Sequence, residues 1–217
     1  MANRQRSRSA ETRQAILSAA GELFAERGYD GVTMREIARA AGCSHTAIYL
    51  YFKDKEALLH ELAVGPLTAL EAELAAALGD VGLTPAERVR AMGRRFIRFG
   101  LTHRNSYHVL MMARAGRVDE EEPDLAVNAL RNRLFALLRR GIAAMLPDGT
   151  PAERVLAYSR VVFFHVHGIV ETYRLSEEAV PALLARLGST FELSLDVLLA
   201  GIERTAAAEA QRGGQPP

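Results

Sequence analysis

A single cysteine, Cys43, stands among 217 residues. No disulfide can therefore form within one chain, and such usage fits a reducing compartment, so cytoplasmic residence is expected. Long hydrophobic runs are missing too. The longest uncharged apolar stretch, near Val161 to Val170, contains His165 and His167 and falls short of the ~20 residues a membrane helix needs. The arginine-rich opening leads into a charged amphipathic stretch instead of an apolar segment, which argues against a secretory leader. Alternating β-branched runs are absent, while Ala, Leu, Arg and Glu recur at helical spacing, so the chain reads as all-α. No Ser-His-Asp order, phosphate-cradling glycine loop, dinucleotide turn or pair of catalytic carboxylates can be placed, which disfavours an enzyme; no cofactor is expected. His103, His108, His165, His167 and Glu171 supply metal-binding atoms, but His165 and His167 are two apart and point to different helix faces. No metal site is expected.

A strong charge of either sign is also lacking, because the formal net charge is only +1. That average hides a local bias: from Met1 to Lys55 nine basic residues stand against six acidic ones. Nucleic-acid binding depends on where charge sits, so a DNA-binding start stays compatible with a near-neutral whole.

What is present is a series of helix starts and stops. Residues 1–8 read as a flexible basic arm. A first helix from about Ser9 to Arg27 carries Ile16, Ala20, Leu23 and Phe24 on one stripe and ends at Gly28. Thr33-Met34-Arg35-Glu36 has the form of a capping box opening a helix to Ala40, and Ser44 caps a third from His45 to about Phe52. Asp54 caps a fourth from Lys55 to about Leu78, which Gly65-Pro66 should kink. Thr84-Pro85-Ala86-Glu87 and Thr150-Pro151-Ala152-Glu153 read as two further capping boxes. Helices are expected at about 85–103, 105–115, 123–146, 151–174 and 179–205. An acidic loop from Asp119 to Glu122 and the turn Pro147-Asp148-Gly149 separate them, and 206–217 reads as a disordered tail. The resulting division is a set of three short helices over 9–55 and a larger helical part over 56–205, whose first part, 56–78, is a connector.

A helix-turn-helix needs a small residue where two helices cross, a residue tolerant of φ > 0 in the turn and an apolar residue locking the second helix onto the first. Ala38, Gly42 and Ile48 occupy those places, leaving Ser44, His45, Thr46 and Ala47 to face a major groove with the positive end of their helix toward phosphates. An ordinary helical hairpin could show the same three residues. The wider stretch Thr12 to Leu59, with Thr12-Arg13, Leu23-Phe24, Gly28-Tyr29, Val32-Thr33-Met34, Ile37-Ala38, Ala41-Gly42-Cys43-Ser44, Ile48-Tyr49, Tyr51-Phe52 and Lys55, resembles the TetR family of tetracycline-repressor-like regulators. The resemblance implies phosphate contacts from Thr33, Tyr49, Tyr51 and Lys55 and base approach by Ser44 to Ala47. It also implies a homodimer on a double-stranded DNA operator, no membrane partner, and a small-molecule effector. Cys43 stands where the family usually has an aliphatic residue and reads as a small core hydrophobe.

Phe163-Phe164-His165-Val166-His167-Gly168 is similar to a Trp-x-x-x-His-Gly signature of one C-terminal subtype, with Phe163 in the place of Trp. Leu184, Leu187, Phe191, Leu195, Leu198 and Ile202 recur at three- and four-residue steps on the last helix, with Leu183, Leu193 and Val197 on a second face. Two apolar faces exceed what one core covers, so the first set is expected in a dimer interface; a central helix of a monomer core is the alternative. An effector site is expected where Phe96, Gly100 and His103 of the fifth helix face Tyr107, Met111, Phe163 and His167, since large apolar groups interrupted by glycines leave room beside a few polar atoms. The same residues could instead close a core. The expected function is a ligand-responsive repressor released from a palindromic operator by an apolar small molecule; the alternative is a helical carrier or enzyme without specific DNA binding.

Overall fold

Capping chemistry places the helix starts. The Thr33 hydroxyl accepts from the Glu36 N–H at 3.3 Å while the Glu36 carboxylate accepts from the Thr33 N–H at 2.9 Å, and Thr84 and Glu87 repeat the exchange at 3.3 and 2.8 Å. The computed structural model describes residues 2–112 and 126–213, so the acidic stretch Asp119 to Glu122 and the last four residues lie outside the described part. In chain order the elements are α1 (Ala2–Arg27), α2 (Met34–Ala40), α3 (His45–Ile48), α4 (Lys55–Leu78), α5 (Pro85–Thr102), α6 (Arg104–Met112), α7 (Ala126–Met145), α8 (Ala152–Tyr173) and α9 (Val180–Gly213). No strand occurs among the described residues.

Three boundaries and one cap differ from those the sequence suggests. α1 extends back to Ala2 through the segment read as a free arm, where arginine and glutamine are good helix formers. α3 stops at Ile48 after one turn. Thr150 does not cap α8: its hydroxyl donates to the Pro147 carbonyl at 2.6 Å, closing the preceding turn, so α8 opens after Pro151 without a side-chain cap. α9 continues to Gly213 because Ala206 is buried and Glu209 is held by Arg154 and by the Tyr158 hydroxyl at 3.0 Å. Residues 206–213 are thus helical, not tail.

α4 runs unbroken through Gly65-Pro66, with Ala63, Leu67, Leu70 and Leu74 buried on either side of the proline. It carries one continuous core, from Ile16, Phe24, Ile37 and Ile48 near its start to Leu70, Leu74, Met92 and Leu134 farther along. α5 is the central strut of the larger part and packs against α4, α7, α8 and α9. Gly100 lets α8 approach: a Cβ there would lie 2.6 Å from a Val170 methyl. The space expected for a ligand beside Gly100 is therefore filled by Val170.

Candidate DNA interface and ligand cavity

The turn between α2 and α3 follows from three residues. Gly42 adopts φ +69°, a conformation that costs other residues energy. Ala38 and Ile48 are buried where the helices cross, and the Cys43 N–H donates to the Ala38 carbonyl at 2.9 Å. The half-buried Cys43 packs against the core as a small hydrophobe. Ser44 then accepts from the Ala47 N–H at 3.1 Å, fixing the start of α3.

That geometry leaves Ser44, His45 and Thr46 exposed and Ala47 half-buried. Tyr49 projects from the end of α3, its hydroxyl 3.5 Å from His45 Nε2 and its ring edge-on to the imidazole, so the two side chains support each other. Tyr51 is half-buried against the core. The chain past Ile48 continues in tight turns, because Phe52 must bury its ring and Asp54 must cap α4 by accepting from the Ala57 N–H at 2.8 Å. Leu50 is 84% exposed; its place in an apolar run of the sequence suggests instead a longer third helix.

Two expected phosphate contacts are already engaged internally. Thr33 donates its hydroxyl to Glu36 at 2.7 Å, and that bond, followed by the backbone one, holds the Glu36 carboxyl below the ordinary carboxylate range. The Lys55 ammonium donates to the carbonyls of Tyr29 at 2.6 Å and Val32 at 2.9 Å and sits 4.1 Å from the Tyr29 ring centre. One of its three donors remains.

A cavity of about 480 Å³ lies between α4, α5, α6, α7 and α8. Phe96, Met111 and Phe163 line it as the sequence suggested, together with Gly93. Leu74, Met92, Leu110, Leu134, Phe135 and Leu138 complete much of the apolar wall, and Arg131, Arg139 and Arg160 join the lining. The α7 residues were missed because helical spacing shows that a stripe is apolar without showing what it faces. Gly100, Tyr107, His167 and His103 do not line this cavity. Tyr107 is fully buried behind it, its hydroxyl 2.5 Å from His167 Nδ1, and His167 stacks on Phe163 at 5.6 Å between ring centres. Burial pushes the Tyr107 hydroxyl well up, so it stays protonated. His103 lies elsewhere, stacked on Phe99 at 5.0 Å, in a second hollow of about 760 Å³ lined also by Tyr29, Asp30, His108 and Arg174.

The last helix also corrects an expectation. Phe191, Leu195 and Ile202 are buried within the subunit, and Leu184, Leu187 and Leu198 are half-buried against its core clusters, so the expected stripe faces mostly inward. Leu183 is buried as well. On α8 and α9 the exposed large apolar side chains among the described residues are Val161, Phe164, Leu193 and Val197. α9 turns its stronger stripe to α5 because α5 runs through the centre of the larger part.

Comparison with known proteins places this arrangement. The profile of bacterial regulatory proteins of the tetR family matches residues 16–62, and that of the tetracyclin repressor-like C-terminal domain matches residues 89–198, half of the chain. The HTH-type transcriptional regulator AcrR of Shigella flexneri is 44% identical over 62 residues, 29% of either chain. The HTH-type transcriptional repressor BepR of Brucella suis biovar 1 is 50% identical over 52 residues, 24% of this chain and 25% of that protein. Each alignment thus spans under a third of the curated relative's length. Among solved structures, a TetR variant from Acinetobacter baumannii AYE in complex with minocycline shares the fold with TM-score 0.60 and 24% identity, over 88% of this chain and 96% of that one. FadR from Bacillus subtilis in complex with stearoyl-CoA does so with TM-score 0.58 and 18% identity, over 88% and 97%. Matched by these profiles at both ends and carrying their helix-turn-helix, the chain belongs to the TetR family of bacterial transcriptional regulators.

Proposed function

We propose that this protein is a cytoplasmic, ligand-responsive repressor that binds a palindromic operator as a homodimer and is released when an apolar-bodied small molecule enters the cavity. The observation that carries the reading is the course of α4. The helix leaves the helix-turn-helix at Lys55 and reaches the cavity wall at Leu74, so one continuous element touches both. The fold relatives solved with minocycline and with stearoyl-CoA agree with a small-molecule effector.

On DNA, each subunit inserts α3 in the major groove, with Ser44, His45, Thr46 and Ala47 toward base edges and Thr33, Tyr49 and Tyr51 toward phosphates. Lys55 acts by fixing the loop after α1 and offers its remaining donor to the backbone. The exposed patch of Val161, Phe164, Leu193 and Val197 pairs with its own copy about a two-fold axis, so the operator repeats with the same symmetry. An effector that lowers DNA affinity must bind free protein more tightly than DNA-bound protein by the same factor.

Selection of genomic fragments on the purified protein, followed by footprinting, tests the reading. Paired protected half-sites are expected. On altered half-sites His45→Ala should change base preference, whereas Tyr49→Phe should weaken binding to every sequence alike. Protection of one asymmetric block by a monomer would count against it.

A further inference from the structure

The cavity is apolar in its walls and cationic in part of its lining. Phe96, Leu134, Phe135 and Leu138 furnish hydrocarbon, while Arg139 of α7 and Arg160 of α8 bring guanidinium groups, and no aspartate or glutamate among the described residues lines it. The arginines nearby show the contrast. On α7 Arg133 donates to Glu71 at 2.6 Å, and on α8 Arg154 pairs with Glu209. Arg139 and Arg160 are exposed and have no hydrogen-bond or ion-pair partner among the described residues. Two guanidinium groups beside a greasy chamber, with no counter-charge among the described residues, repel a cation. A neutral molecule gains at most an ordinary hydrogen bond from them, whereas a carboxylate can accept two parallel charge-assisted N–H donors from either one.

We propose that the effector is an organic carboxylate with an apolar body, the body lodged among Phe96, Leu134 and Phe135 and the carboxylate held by Arg139 and Arg160. This rests on the reading of the cavity as the effector site and adds the charge class. It also separates the effector from cationic amphiphiles, which the same apolar walls alone would accept.

Calorimetric titration of the full chain with matched probes decides it: decanoate, 1-decanol and decyltrimethylammonium, and the rigid pair 2-naphthoate and 2-naphthol. A charge-assisted bond predicts at least one acid binding about tenfold or more tighter than its alcohol, and comparison of the two acids tells an alkyl body from an aryl one. Arg139→Gln and Arg160→Gln should each erase most of that advantage while leaving alcohol binding unchanged, which also reports that the variants keep their fold. Leu134→Trp, which fills the chamber, should remove acid and alcohol binding together. Alcohols binding as well as acids, tightest binding of the ammonium probe, or acid binding indifferent to both arginine variants would overturn the carboxylate assignment and leave the effector cavity standing. Failure of every probe would remove the assignment together with the cavity reading beneath it.

Discussion

Lys55 directs its ammonium inward, onto two carbonyls and the Tyr29 ring, so its replacement acts on stability before it acts on DNA. Lys55→Ala is expected to cost about 1–3 kcal/mol in thermal or denaturant unfolding, since it strips buried carbonyls of a charged donor. It should weaken operator and random DNA to the same degree, because a loosened loop changes no base contact. Unchanged stability with a selective operator loss would refute that assignment. His108 offers a second test at this scale. Burial, and then the charge of Arg174, hold its imidazole below the ordinary value against the opposing pull of Asp30 and Glu171; burial alone does the same to His165, which bonds to the Ser194 hydroxyl at 3.0 Å. Above an ordinary imidazole value of about 6.5 the folded and unfolded chains are both neutral there, and neither group makes stability depend on pH. Below it the unfolded chain takes up protons that the folded one resists, so stability falls as pH falls. Unfolding midpoints measured from about pH 7 to about pH 5 should fall less steeply in a His108→Gln, His165→Gln double variant; an unchanged slope would place the acid sensitivity elsewhere.

Helix starts with the same sequence pattern differ in what their threonines do. Thr84 exchanges bonds with Glu87 and opens α5, whereas Thr150 closes the turn at Pro147 and leaves α8 uncapped. Thr84→Ala should therefore cost about 1 kcal/mol, and Thr150→Ala clearly less, by chemical denaturation of the two variants side by side. Equal losses would mean that Thr150 caps α8 in solution. Likewise, the first turn of α3 was legible from Ser44, but its end was not: the Tyr49 to Phe52 run has helical composition, and only the need to bury Phe52 and cap α4 ends the helix at Ile48.

Across the whole molecule, the stripe of α9 that spacing assigned to a partner lies mostly against the subunit's own core. Leu195 is 1% exposed and faces Gly93 of α5, while Leu193 and Val197 of α9, at 62% and 64%, and Phe164 of α8, at 63%, stand outward. If the proposed dimer uses this face, Leu193→Glu with Val197→Glu should yield a folded monomer by analytical ultracentrifugation with helix content unchanged, since the charges enter exposed positions and disturb no core. Leu195→Ala should instead lower subunit stability by about 2–5 kcal/mol. A dimer that survives both glutamates would move the interface away from these helices.

The sequence by itself determined the all-helical class, most helix starts and the DNA-reading turn, because capping boxes, the φ of Gly42 and the burial of Ala38 and Ile48 depend on neighbours within a few residues. Tertiary structure alone decided which apolar stripe became core and which stayed outside. It also decided that Val170 fills the space beside Gly100 and that α7 supplies a cavity wall with Arg139 in it. Those outcomes depend on which helix each face meets, and helical periodicity records that a face is apolar but carries no address for its partner.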